Sequence, residues 1–276
     1  VRACRLRHCH GDGADSILEH GMALIGRGGA LALAGLALAA FTSLGALAQE
    51  RVALVIGNAG YANQPRLANP ANDAADMAAA LGKLGFTVQR LDEASYDSMR
   101  RGLQSFGEAA RRADKAVVFF AGHGVEIAGE NYLVPVDAKL TSESDVAFEA
   151  IPMRTVMATV ATARTLGLII LDACRADPFR PRMISASGAT RSSATRGLAR
   201  VEPSGGMIVA YAAREGTLAA DGAARNSPFT ASLLRHIGRP GLDVRLMLGA
   251  VRDDVLKATL NAQEPAIYIA LGGAQI

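Results

Sequence analysis

A thiol and an imidazole occupy matching positions in this sequence. Leu166 to Phe179 reads L-G-L-I-I-L-D-A-C-R-A-D-P-F, an apolar run suited to a buried strand that gives way at once to acid, thiol, base, acid and proline around Cys174. Some fifty residues upstream, Lys115 to Gly124 repeats the design as K-A-V-V-F-F-A-G-H-G, with His123 between Gly122 and Gly124. A thiol attacks a carbonyl usefully only as thiolate, and a histidine can take its proton and later hand it to a leaving amine. Ligands of a parallel sheet bind at the carboxyl ends of its strands. Two strands ending there in these residues point to acyl transfer, with Cys174 as nucleophile and His123 as general acid and base. Taken singly, Cys174 also reads as a buried inert thiol and His123 as a turn histidine facing solvent.

Other short motifs surround these two in a fixed order. They are V-A-L-V-I-G-N from Val52, N-D-A-A-D-M from Asn72, then G-H-G, L-D-A-C-R and a late D-G…N-S-P-F ending at Phe229. A histidine about fifty residues before a cysteine is the caspase arrangement, whose signature Gln-Ala-Cys-Arg-Gly corresponds here to Asp172, Ala173, Cys174, Arg175 and Ala176. From about Arg51 to its end the chain therefore resembles the caspase and metacaspase superfamily of cysteine peptidases, most closely its bacterial caspase-like members of peptidase C14 type. The resemblance implies an α/β, caspase-like (caspase-hemoglobinase) fold, with a mostly parallel central sheet and helices on both faces. It also implies a cysteine endopeptidase, for which no cofactor is expected, with the amides of Gly124 and Cys174 forming the oxyanion hole.

Specificity turns on charge. Asp172 replaces the caspase glutamine, which points away from cleavage after aspartate. Asp172 and Asp73, the latter in N-D-A, match the acidic pocket positions of metacaspases, which cut after arginine or lysine. A carboxylate pair favours a buried cation through charge-assisted hydrogen bonds, bidentate for arginine. Asp73 has a second reading as a first-turn carboxylate on the helix dipole, and Asp172 as the partner of Arg175. A catalytically silent caspase-like binding or scaffold module is the alternative function, left open by Ala176 where caspases have glycine and by the lack of a histidine after Cys174. A nucleotide-binding α/β domain finds neither a Walker sequence nor G-x-G-x-x-G after the first strand.

The elements that must position these residues alternate. Strands are expected at Arg51 to Gly57, Thr87 to Leu91, Ala116 to Ala121, Leu166 to Leu171, Gly206 to Tyr211 and Ala266 to Leu271. Between them, helices are expected over Pro70 to Leu84 with Asn69 as cap, Ser95 to Arg112, Ile151 to Ala163, Ser227 to Ile237 capped by Ser227 or Asn226, and Asp243 to Thr259. Val125 to Pro135 reads as a hairpin around Gly129-Glu130-Asn131. Strand and helix in alternation, joined by right-handed crossovers, give parallel pairing with helices on the sheet faces.

Half of the 276 residues are hydrophobic, enough for a sizeable core, and the net charge of +3 comes with no long basic run, so nucleic acid is not expected; the resemblance implies a peptide or protein substrate. Residues 1–21 contain Cys4, His8, Cys9 and His10 at spacings that fit no zinc site. Met22 is the expected true start, with Arg27, Ala30 to Phe41 and Ala46-Leu47-Ala48 as the three regions of a secretory signal. Residues 1–48 are thus read as extension plus signal, 49–276 as the catalytic domain, and the location as periplasmic or secreted. Cleavage after Ala48 would leave Cys174 as the one cysteine; an uncleaved anchor, the only membrane association expected, is the other reading. Asp137, Glu143 and Asp145 form no recognisable calcium loop, so no metal is expected. From Arg180 to Pro203 the aliphatic runs give way to Ser, Thr, Ala, Gly and arginines, a mobile loop by composition. It falls where the family has its linker between large and small subunits. A protease selecting basic residues would meet Arg180, Arg182, Arg191, Arg196 and Arg200 there, tethered at high effective concentration, so self-cleavage is expected between Arg180 and Val201.

Overall fold

The structure, a computed structural model, describes residues 50–174, 198–214, 219, 222 and 224–271; the expected secretory segment and most of the loop from 180 to 203 lie outside them. The first strand, β1 (Arg51–Gly57), is followed by α1 (Pro70–Lys83), β2 (Thr87–Asp92), α2 (Tyr96–Ala110) and β3 (Lys115–Ile127). Next come β4 (Glu130–Leu133), α3 (Val146–Glu149), β5 (Ile151–Pro152), α4 (Met153–Val160) and β6 (Leu166–Cys174). Beyond the loop lie β7 (Met207–Tyr211), α5 (Pro228–His236), α6 (Val244–Ala258) and β8 (Ala266–Ala270). The main sheet has the order β2-β1-β3-β6-β7-β8, with β8 alone antiparallel to its neighbour. This is the mostly parallel α/β architecture expected.

The central strands read as unbroken apolar runs because both of their faces are covered. Val52, Leu54, Ile56, Val118, Phe120, Ile169 and Leu171 pack on one side against Met99, Leu103 and Phe106 of α2 and Met153, Val156 and Val160 of α4. The intervening residues Ala53, Val55, Val117, Phe119, Leu168 and Ile170 pack on the other side against Ala74, Met77 and Leu81 of α1, Phe229 and Leu233 of α5, and Val251 and Val255 of α6. Asp254 holds α5 to α6: its Oδ2 lies 2.8 Å from His236 Nε2 and accepts from Arg235 at 3.0 Å and Ser232 at 3.3 Å. The bond to His236, and then that to Arg235, hold its carboxyl down to about 2.

Local chemistry sets the ends of these elements. Ser95, Ser227 and Asp243 accept the backbone N–H of Ser98, Thr230 and Arg245 at their helix starts. Asn69 departs from the expected side-chain cap. It is itself buried in a near-helical conformation, and only its carbonyl serves the helix, accepting the Asp73 N–H at 2.9 Å. The helix expected from Ile151 starts at Met153, because Ile151 and Pro152 pair with β4 instead. β3 runs beyond the expected Ala121 to Ile127 because it goes on pairing, with β6 as far as His123 and with β4 from Gly124, Gly122 within it standing at φ 155°. The tip of the hairpin that follows is Ala128-Gly129, both at positive φ, as a two-residue turn between twisted strands requires.

Gly57, at the carboxyl end of β1, has no room for a side chain: a Cβ there would lie 2.6 Å from Ala74 Cβ and 2.7 Å from the Pro70 carbonyl. The obstacle is the start of α1, which also carries Asp73. Gly57→Ala is expected to cost about 1 to 3 kcal/mol of stability through overpacking, measured by urea unfolding.

Candidate active site

β3 and β6 stay in step from Lys115↔Leu166 to His123↔Cys174, so the histidine and the cysteine occupy the last paired position of the parallel ladder. β1 stops earlier, its pairing with β3 ending at Gly57↔Ala121 and a final bond from the Asn58 N–H to the Ala121 carbonyl. His123 therefore lies one step beyond the reach of β1. Its backbone N–H donates instead to the Tyr61 hydroxyl at 2.6 Å, and the two rings lie 4.4 Å apart, tilted by 45°. His123 is only 5% exposed, so it is not the solvent-facing turn histidine of the plainer reading. Burial lowers its pKa from the ordinary 6.5 to about 4 by penalising the charged ring. The resting imidazole is thus neutral at ordinary pH.

Gly124 follows on the same strand. The Val134 N–H donates to the His123 carbonyl at 3.0 Å, which makes Gly124↔Leu133 a non-hydrogen-bonded pair. β4 therefore leaves the Gly124 N–H unused, and the alternation of backbone groups along a strand turns it toward β6. This suits an oxyanion donor. The space beside its Cα is occupied, however: a Cβ would meet Leu198 Cδ2 at 2.9 Å. Glycine is required here by packing rather than by a turn.

Asp73 and Asp172 are buried, at 1% and 8% exposure, and they meet at the amino end of α5. Asp73 Oδ1 accepts the Ser227 backbone N–H at 3.1 Å. Asp172 Oδ2 accepts the Ser227 hydroxyl and, at 2.6 Å, the Thr230 hydroxyl. The positive end of the helix dipole also lies against both acids. The first-turn reading of Asp73 thus changes, since its carboxylate serves α5 across the site rather than only its own helix. Arg175, the other proposed partner of Asp172, lies outside the described residues. The loop leading to Ser227 is clamped on α1: Arg225 forms a two-pronged pair with Asp76 at 2.9 Å in each arm, Asn226 donates to the same carboxylate at 3.0 Å, and Asn72 donates to the Arg225 carbonyl at 3.1 Å.

The described end of the long loop is docked. Leu198 is 1% exposed and belongs to the core. The Asn131 side chain donates to the Ala199 carbonyl at 2.7 Å and accepts the Ala199 N–H at 2.5 Å, as a neighbouring strand would. Arg200 stacks over the Tyr268 ring, 5.5 Å from its centre. The mobility expected through 203 does not extend to Leu198 and Ala199, where one leucine finds a core site and one amide supplies a backbone partner. Of the five arginines, Arg180, Arg182, Arg191 and Arg196 lie outside the described residues.

Sequence reasoning missed Tyr61, Asn131, Leu198 and Thr230, and saw in Ser227 only a helix cap. The S-P-F-T run could have exposed the last pair, since it places two hydroxyls three residues apart on one helical turn. Tyr61 sits in an aperiodic loop that carries no such signal. Among the described residues no group of three or more His, Cys, Asp and Glu gathers as a metal site.

Residues 50–272 match the family model of the caspase domain of peptidase C14. The chain belongs to the caspase-domain family. The human mucosa-associated lymphoid tissue lymphoma translocation protein 1 is 30% identical over 130 residues, covering 47% of this chain, and its mouse homologue is 29% identical over the same length. The match spans only 15% of each of those longer proteins. Two solved structures share the caspase-domain fold at 16% identity. Caspase-1 from Spodoptera frugiperda superposes with a TM-score of 0.58 over 81% of this chain and 88% of its own. Protein GSU0716 from Geobacter sulfurreducens gives 0.57 over 81% and 94%.

Burial of His123 also couples the caspase domain's stability to pH. The folded pKa lies below the unfolded one, so between about 6.5 and 4 the unfolded chain binds the proton and the native ring does not. Stability from this residue is whole above that window and is lost as pH falls through it, by about 3 kcal/mol. His123→Gln is expected to flatten the urea-unfolding stability profile between pH 7 and 4 by that amount relative to the unchanged protein.

Proposed function

We propose that this caspase domain is a cysteine endopeptidase that cleaves after arginine or lysine. The observation that carries the reading is the β3–β6 register, which pairs His123 with Cys174 where the parallel ladder ends, with the imidazole buried and neutral. His123 takes the thiol proton as the Cys174 sulfur bonds to the scissile carbonyl carbon. The oxyanion formed is met by the N–H groups of Gly124 and Cys174. The imidazolium returns its proton to the departing amine, and water then hydrolyses the thioester.

Preference for a basic side chain rests on Asp73 and Asp172, two buried carboxylates gathered at one point by Ser227. Burial raises the value of each charge contact, because few waters compete for it. Thr230 and Ser227 hold the Asp172 carboxylate from the helix side, fixing its direction before substrate arrives.

A fluorogenic peptide ending in arginine tests the reading directly. Cys174→Ala and His123→Ala are each expected to abolish hydrolysis while circular dichroism shows the fold unchanged, and full activity in either purified variant would remove the dyad. Asp172→Asn or Asp73→Asn should lower kcat/KM for the arginine peptide by about 2 to 5 kcal/mol of transition-state binding, the usual cost of truncating one partner of a buried charge pair. Unchanged values in both would place the specificity pocket elsewhere.

A further inference from the structure

We propose that Tyr61 is a positioning residue for His123, holding the strand segment and ring of the general base from the loop after β1. The inference rests on the dyad reading above and adds a residue that neither the motifs nor that reading assigned.

The need for such a residue follows from strand lengths. β3 outruns β1 at Ala121, so the next N–H on that edge, that of His123, has no strand to receive it. A buried N–H without an acceptor is costly, and a strand end lacking its ladder is free to twist. The Tyr61 hydroxyl stands where the missing strand would be. It accepts the His123 N–H at 2.6 Å and donates to the Val134 carbonyl at 3.3 Å, tying β3 to the segment after β4. Its ring, 6% exposed, lies against the imidazole at 4.4 Å and helps keep water from it. Gly122 makes the approach feasible, since a Cβ there would sit 2.6 Å from the hydroxyl oxygen.

The loop is anchored well enough to act as a brace. Fully buried Asn58 accepts the Ala94 N–H at 2.8 Å and donates to the Val134 carbonyl at 3.2 Å. The Glu93 carboxylate accepts the N–H groups of Ala59 and Gly60 at 2.9 and 2.7 Å and pairs with Arg66 at 3.0 Å. On the far side of the tyrosine, the Ala62 N–H donates to the Val136 carbonyl at 2.8 Å. Tyr61 is thus held on both sides within one residue of its own position.

Two measurements test the proposal, one of which needs no turnover. Tyr61→Phe keeps the ring and deletes the oxygen; Tyr61→Leu deletes both. In the kinetic arm, with the arginine peptide from pH 4 to 9, Tyr61→Phe is expected to lower kcat about 10- to 100-fold with KM nearly unchanged, the scale of a misplaced reacting group. Tyr61→Leu should in addition move the acid limb of the profile upward as water reaches the ring. In the second arm, NMR follows the titration of labelled His123 in a Cys174→Ala background, with the signal assigned by His123→Gln. The His123 titration should rise from about 4 toward the ordinary 6.5 in Tyr61→Leu. A lower melting temperature with wild-type kcat, acid limb and His123 titration in both variants would overturn the proposal and leave Tyr61 a core residue. If the unchanged protein hydrolyses no basic peptide, the dyad reading fails by itself, and the NMR arm still decides for or against the brace.

Discussion

The pairing of β3 with β6 is the constraint on which the rest of the site depends. Both strands are buried on both faces, so a slip of one residue would exchange the side chains packed against α2 and α4 with those packed against α1, α5 and α6. Phe119 and Phe120 make that exchange especially costly, because each is fully buried in a different layer. Register is therefore set by core packing well before the strands reach their ends, and the opposition of His123 and Cys174 is inherited from it. The chemistry is aligned by residues that take no part in it.

A second dependence runs through α5. Two buried carboxylates brought together repel one another and lose their hydration, so their proximity needs donors already in place. The amino end of a helix supplies these from its backbone and its cap, and here Ser227 serves one acid with its amide and the other with its hydroxyl. That helix is held in turn by the Asp76–Arg225 clamp at its approach and by Asp254 at its far end. The acidic pair is thus a property of three helices and a strand rather than of two residues.

These arrangements were legible in the sequence to unequal degrees. The strands and helices announced themselves through continuous apolar runs, Pro70 and Pro228 in first turns, and serine or aspartate caps, because those signals are local. His123 and Cys174 could be paired because each closes an apolar strand, and Asp73 and Asp172 could be named because short motifs mark them. What could not be read was contact between distant segments: Asp73 and Ser227 are 154 residues apart, Asn131 and Ala199 68, and Tyr61 and His123 62. Composition misled in one place. The small polar residues around Leu198 suggest freedom, yet one leucine and one backbone amide are enough to dock the chain once Gly124 leaves a notch and Asn131 offers a partner.

That docking separates covalent continuity from structural continuity. The strand following the loop lies beside β6 in the middle of the sheet, and the residues before it are bonded to β4 and seated on the strand that carries His123. A break in the backbone anywhere from 175 to 197 would create new chain ends without touching any of these bonds. Parallel pairing of β7 with β6 and antiparallel pairing with β8 hold the segment after the loop in the sheet through backbone hydrogen bonds rather than through the chain that leads to it.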